Sequence, residues 1–131
     1  MDRAGLQEWL NRYIAAWRAN EREAIAALFT DDVVYRFAPY SETHIRRGID
    51  ALVAEWLSDP DAPDSWDAHY EPFAVDGDRA VASGWSDYVA TPTEAARRYH
   101  NVFLMRFAPD GRCAEFTEVY MREEPPREPQ A

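Results

Sequence analysis

The chain has 131 residues, 47% of them hydrophobic and 14% aromatic, with 24 acidic side chains against 14 basic ones, every one an arginine. That length builds a single domain able to remove roughly two thirds of its unfolded surface from water, so no disulfide or metal staple is needed. A formal charge of -10 argues against nucleic acid, whose phosphates need clustered basic side chains, and against anionic membrane surfaces; a small neutral, cationic or apolar partner suits it better.

Leu6, Trp9, Leu10, Tyr13, Ile14 and Trp17 recur at spacings of three and four, which predicts an amphipathic helix. Asn20 followed by Glu23 has the form of a capping box, and Ala24, Ile25, Leu28 and Phe29 supply the stripe of a second helix ending near Thr30. Val33 to Ala38 alternate as a short strand stopped by Pro39. Gly48 then leads into a third helix through Ile49, Leu52, Val53, Trp56 and Leu57, closed by Pro60 and Pro63.

From Ser65 the period changes to two. Trp66 to Val75 and Arg79 to Ala90 read as a hairpin about Asp76-Gly77, and Arg98 to Phe107 and Arg112 to Arg122 as a second one about Pro109-Asp110-Gly111. The predicted order is α-α-β-α-β-β-β-β, an α+β domain over residues 1–122 in which a curved antiparallel sheet wraps three N-terminal helices. Residues 123–131, rich in Pro and Glu, read as a flexible tail.

On the strand from Arg98 to Phe107 both faces are apolar. Tyr99, Asn101, Phe103 and Met105 share one, and Val102 and Leu104 lie on the other with His100. A solvated face would be polar, so the second face is expected to be covered by the first helix or by a second subunit, and with so few helices available a homodimer is favoured. Cys113 is the single cysteine, which excludes an internal disulfide and reads as a small buried hydrophobe. Met1 to Leu10 lacks the form of a signal peptide and no stretch has the apolar length of a membrane span, so a cytoplasmic location is expected.

Several runs carry a family resemblance: Leu10-x-x-Tyr13-x-x-Ala16-Trp17, Leu28 to Val33, Arg47 to Leu52, the Phe107 to Arg112 turn and Glu115 to Glu118. In this order and spacing the chain resembles the nuclear transport factor 2-like superfamily, and within it the SnoaL-like branch, from about Leu6 to Arg122. The resemblance implies a cone whose bent sheet, closed at one end by helices, encloses an apolar pocket. It does not imply one activity, because the same cone serves isomerases, dehydratases, cyclases, epoxide hydrolases and binding proteins.

Strand parity then nominates the pocket residues. If Phe116 faces inward, so do Glu118 and Tyr120; Tyr99 and Asn101 go with Phe103; and Tyr88 goes with Gly84 and Ser86. Glu118 is the leading catalytic candidate, since a carboxylate in an apolar cavity resists ionisation and can exchange protons near neutral pH. Its alternative is an outward glutamate paired with Arg98 or Arg106. Asn101 either orients Glu118, binds a substrate oxygen or makes a structural bond. Tyr88 is a candidate donor to developing negative charge, as are Tyr35 and Tyr99, with aromatic packing as the alternative for each. His44, ahead of the third helix, is an acid-base candidate at the cavity mouth or a solvated loop residue. Trp56, Phe103, Phe116 and Tyr120, with Tyr35 and Tyr99, are expected to contact substrate.

The three histidines lack metal-ligand spacing, and the five glycines form no phosphate-cradling run. Any catalysis is therefore expected to be cofactor-free and metal-free proton transfer. Relatives of the ketosteroid isomerase type carry an aspartate where this chain has Phe37 to Tyr40, and limonene epoxide hydrolase-like members carry an arginine two residues before an aspartate, where Trp85 precedes Asp87. The histidine and aspartate pair of SnoaL-type cyclases is not matched to particular positions here. No named activity transfers residue by residue. Two readings remain: a lyase, isomerase or cyclase acting on a small apolar carbonyl or hydroxyl compound, and a non-catalytic small-ligand binder or dimeric scaffold.

Overall fold

The computed structural model describes residues 1–124; the rest of the expected tail lies outside the described residues. Helix α1 (Arg3–Ala19) is opened by Asp2, whose carboxylate accepts from the Gly5 N–H at 2.8 Å, and it buries Leu6, Trp9, Leu10, Tyr13 and Ala16. Its far end corrects the expected capping box. Asn20 takes the left-handed conformation, φ 52°, and its N–H bonds Ala16 O, so it closes α1 rather than opening the next helix. Asparagine tolerates that conformation better than most residues, and the helix-end role prevails over the N-cap role.

The second helix, α2 (Arg22–Ala26), is short and has no side-chain cap. It ends before Thr30 because β1 (Phe29–Arg36) begins four residues earlier than its alternation suggested, with Leu28 O already accepting from Cys113 N–H. A three-residue strand, β2 (Ile45–Arg47), pairs antiparallel to β1 and was not legible as a strand. Helix α3 (Ile49–Ser58) follows, then β3 (Trp66–Asp76), β4 (Arg79–Tyr88), β5 (Arg97–Phe107) and β6 (Cys113–Arg122), close to the expected bounds. Gly77 occupies the β3–β4 turn at φ 62°, the positive value that motivated the hairpin assignment.

The six strands form one sheet in the order β2-β1-β6-β5-β4-β3. Four of the five strand pairings are antiparallel, but β1 and β6 run parallel, an exception to the antiparallel sheet expected. Between them the chain passes through β2, α3 and two hairpins, enough connection to return in the same direction. The concave face receives α1 and holds a core built on Trp9, Phe29, Phe116, Phe103 and Phe107, with Trp9 Nε1 donating to Leu28 O at 3.0 Å. Cys113 is fully buried in it, and burial raises its thiol well above the usual range.

Small residues shape the concave face where β4 crosses it. Ala80 and Ala82 are buried, and a Cβ on Gly84 would stand 1.8 Å from His69 O, so only glycine allows β3 and β4 this close at Tyr70. The convex face carries exposed Val102, Leu104, Val119 and Met121, flanked by the Arg98–Asp87 and His100–Glu123 pairs. Among the described residues no helix is long and apolar enough to cross a membrane.

Candidate active site

Between α1, α3 and the concave sheet lies an open-ended cavity of about 500 Å³. Its wall is largely aromatic, with Tyr13 and Trp17 from α1, Trp56 from α3, Tyr35 from β1, and Tyr70, Tyr88, Tyr99 and Phe103 from the outer hairpins. Glu118 projects into it from β6, where Phe103 is its cross-strand neighbour. The inward parity of Phe116, Glu118 and Tyr120 therefore holds.

Glu118 does not stand alone. The parallel β1–β6 register sets Tyr35 beside Phe116, their rings stacked at 4.6 Å, which carries the Tyr35 hydroxyl to the next inward residue of β6. Tyr35 O–H donates to Glu118 Oε1 at 2.6 Å, short as expected for a charge-assisted bond. The Tyr13 and Tyr35 hydroxyls are 3.1 Å apart. Because Tyr35 has spent its one proton on Glu118, Tyr13 is the donor in that second bond. The result is a directed chain from Tyr13 through Tyr35 to Glu118.

Burial raises the Glu118 carboxyl to about 7, and the hydroxyls of Tyr35 and Tyr13 oppose that rise without cancelling it. Burial, reinforced by the neighbouring Glu118 charge, also holds Tyr13, Tyr35 and Tyr70 well above the usual phenol range. These phenols therefore stay protonated and act as donors, leaving Glu118 as the group poised to gain and lose a proton near neutral pH.

The other nominated residues divide. Asn101 lines the cavity, but its Nδ2 donates to Ser86 Oγ at 3.0 Å, and Tyr35 rather than Asn101 orients the carboxylate. Tyr88 lines the cavity toward its mouth, beside Trp17 and under the Arg97 guanidinium at 4.8 Å, and does not bond Glu118. Trp56, Tyr99 and Phe103 form wall, and Tyr120 is a half-exposed rim residue. Phe116 is a correction: it is fully buried behind Tyr35 and Tyr13 and forms the backing of their rings, not the cavity surface.

His44 is a second correction. Its carbonyl accepts from Phe37 N–H and its Nδ1 meets Ser41 Oγ at 2.9 Å on an exposed turn, because β1 and β2 close as a hairpin at the sheet edge and carry this segment away from the cavity. Tyr13, Tyr70 and Asp61 were not nominated yet line the cavity, and Ser86 lines it as its shared face with Tyr88 implied. The signal for Tyr13 was present in the first helix: a hydroxyl in the middle of an otherwise apolar stripe must find a partner once buried. Asp61 gave no such signal, since it sits in a polar, proline-punctuated loop.

The fold and its order of elements agree with comparison to known proteins. A profile of the SnoaL-like domain matches residues 10–116, most of the chain. The chain belongs to the SnoaL-like family. Solved structures that share the cone include a nuclear transport factor 2-like protein of unknown function from Burkholderia xenovorans LB400, 18% identical with a TM-score of 0.66, the match covering 96% of this chain and 88% of that one. An LEH-like epoxide hydrolase from M. tuberculosis is 12% identical with a TM-score of 0.64, covering 90% and 84%. A protein of unknown function with a cystatin-like fold from Methylobium petroleophilum PM1 is 17% identical with a TM-score of 0.62, covering 100% and 81%. No curated protein matches this SnoaL-like chain significantly. At such identities the structural likeness establishes the fold of this SnoaL-like domain and leaves its chemistry to its own residues.

Proposed function

We propose that this SnoaL-like protein is a cofactor-free acid-base enzyme, a lyase, isomerase or cyclase, that moves a proton on a small, largely apolar carbonyl or hydroxyl compound. The observation that carries this reading is Glu118, a carboxylate raised to about 7 in an aromatic cavity with one oxygen held by Tyr35 at 2.6 Å. Ionised, it can take a proton from a substrate carbon or hydroxyl; protonated, it can return one to a leaving group or to a neighbouring carbon. Tyr88 and Asn101 line the same cavity and are the donors for charge that develops on the substrate oxygen, Asn101 by exchanging its bond to Ser86 for one to the substrate. The cavity is open rather than filled by its own side chains, which favours this reading over a scaffold. Within it the protein works as a homodimer joined through the convex face of Val102, Leu104, Val119 and Met121, a surface large side chains otherwise leave in water.

The test is proton abstraction from an activated carbon acid, 5-nitrobenzisoxazole, whose C–H proton passes to the base as the N–O bond breaks to give a cyanophenolate. Turnover should rise with pH through a midpoint near 7 and vanish in Glu118→Gln. Equal turnover in that variant, or a midpoint at the ordinary carboxylate value, overturns the assignment.

A further inference from the structure

The cavity is not electrically neutral at its mouth. Three carboxylates line it, Glu55, Asp61 and Glu118, against one guanidinium, Arg97. Glu55 is held by Arg46 at 3.0 Å, and Arg97 lies across the Tyr88 ring with its Nε 3.1 Å from Glu94, while its buried Nη1 meets no acceptor among the described residues. Asp61 is different. Its Oδ2 accepts from Trp17 Nε1 at 3.0 Å and its backbone O from Asn20 Nδ2 at 3.1 Å, which pins the loop, but among the described residues it makes no ion pair.

That fixed carboxylate lies at the indole edge of Trp17, in an aromatic part of the cavity. Trp17 stacks on Trp66 at 3.6 Å and stands 6.2 Å from Tyr88, and Tyr88 meets Tyr99 edge-on at 5.8 Å. Asp61 is near enough to help burial raise the Tyr88 phenol, which places the carboxylate and that ring in one compartment. A carboxylate without a cation beside electron-rich ring faces attracts a desolvated organic cation, by Coulomb attraction and by cation-π contact together. A carboxylate-bearing ligand drawn to Arg97 would meet repulsion from Asp61 in the same compartment and from Glu94, which already offsets the guanidinium charge. The acidic side chains Asp59 and Asp64 on the same loop add long-range attraction for cations.

We infer that the cavity takes compounds with a protonated or alkylated ammonium group, which sits at the mouth against Asp61, Trp17 and Tyr88 while an apolar body runs inward toward Glu118. Trp17 follows Tyr13 by one helical turn on α1, so the cation lies about 6 Å toward the mouth from the Tyr13–Tyr35–Glu118 chain. The inference deepens the acid-base reading by naming the remote end of its substrate, and it rests on that reading only for the role of the inner end.

The experiment is calorimetric titration of the full chain at low salt with three probes of one shape: benzyltrimethylammonium, the neutral isostere neopentylbenzene, and phenylacetate. Benzyltrimethylammonium should bind at least about tenfold more tightly than neopentylbenzene, with phenylacetate weakest. Asp61→Asn keeps an acceptor for Trp17 and should abolish the preference while leaving neopentylbenzene unchanged; Tyr88→Leu should reduce it independently. Equal binding of the cation and its isostere, no binding of any probe, or tightest binding of phenylacetate with loss in Arg97→Met would each overturn the inference. Glu118→Gln should retain the cation preference, so a failure of the acid-base reading is seen separately, in turnover alone.

Discussion

Replacing Glu118 with glutamine separates the energetic cost of the site from its chemistry. Glutamine keeps the side-chain length and an oxygen to accept from Tyr35, but it has no proton to lose. In the folded protein the Glu118 carboxyl is raised from its ordinary 4.5 to about 7, because burial disfavours the charged form more than the tyrosine hydroxyls favour it. Between those two values the folded chain retains a proton that the unfolded chain has released, so stability falls as pH rises through that window. Below it both states are protonated and the residue contributes nothing; above it the full cost is present, about 3 kcal/mol at about 1.4 kcal/mol per tenfold change in proton affinity. The variant should therefore match the wild type near pH 4 and exceed its stability by up to about 3 kcal/mol above pH 8. Urea unfolding of both proteins across that range measures the difference, in which the titrations of all other groups cancel. A difference that stays flat with pH would refute the raised carboxyl and, with it, the physical basis of the proposed chemistry.

Tyr35→Phe removes the hydroxyl that most strongly opposes burial, so the turnover midpoint should move above about 7, with about 1 kcal/mol lost from stability; an unchanged midpoint in the pH-rate profile would show that Tyr35 does not tune Glu118. Gly84→Ala forces a Cβ onto the His69 carbonyl, a backbone atom that cannot swing aside, and should cost at least about 2 kcal/mol by chemical denaturation; a near-neutral result would mean that β3 and β4 are farther apart than described. On the convex face, sedimentation velocity should find a dimer at micromolar concentration and a monomer for Leu104→Arg, whose charge would be buried without a partner. A wild-type chain that is strictly monomeric would remove the dimer.

Most of the scaffold was legible because it follows from local periodicity. The apolar stripe from Leu6 to Trp17 specifies a helix, and the alternations about Asp76-Gly77 and Asp110-Gly111 specify two hairpins with bounds accurate to a residue or two. Misreadings occurred where a residue can play two roles. Asn20 suits a helix start and a left-handed helix end equally, and its choice depends on α1 running to Ala19 and on Asp61 being near enough to accept from its amide. Phe29 and Thr30 continue a helical stripe as readily as they begin a strand, and the ladder with β6 decides for the strand.

The site divides along the same line. That Glu118 shares a face with Phe116 and Tyr120 follows from the two-residue repeat of a strand and needs no knowledge of its neighbours. Which group touches it does not follow, because Tyr35 is 83 residues away and Tyr13 lies 22 residues from Tyr35 in sequence. Those contacts depend on β1 pairing parallel with β6 in one register, and on α1 packing across the concave face; a shift of one residue would turn Tyr35 out of the cavity. The same dependence excluded His44, close to the third helix in sequence but carried by a sheet-edge hairpin away from the cavity, and introduced Asp61 from a loop with no distinguishing pattern. Local residue order thus determined which elements form and which side chains alternate inward, since these depend on bond geometry repeated every few residues. The pairing of distant strands determined which of those side chains meet, since an acid-base site depends on separations of a few ångströms that no local pattern encodes.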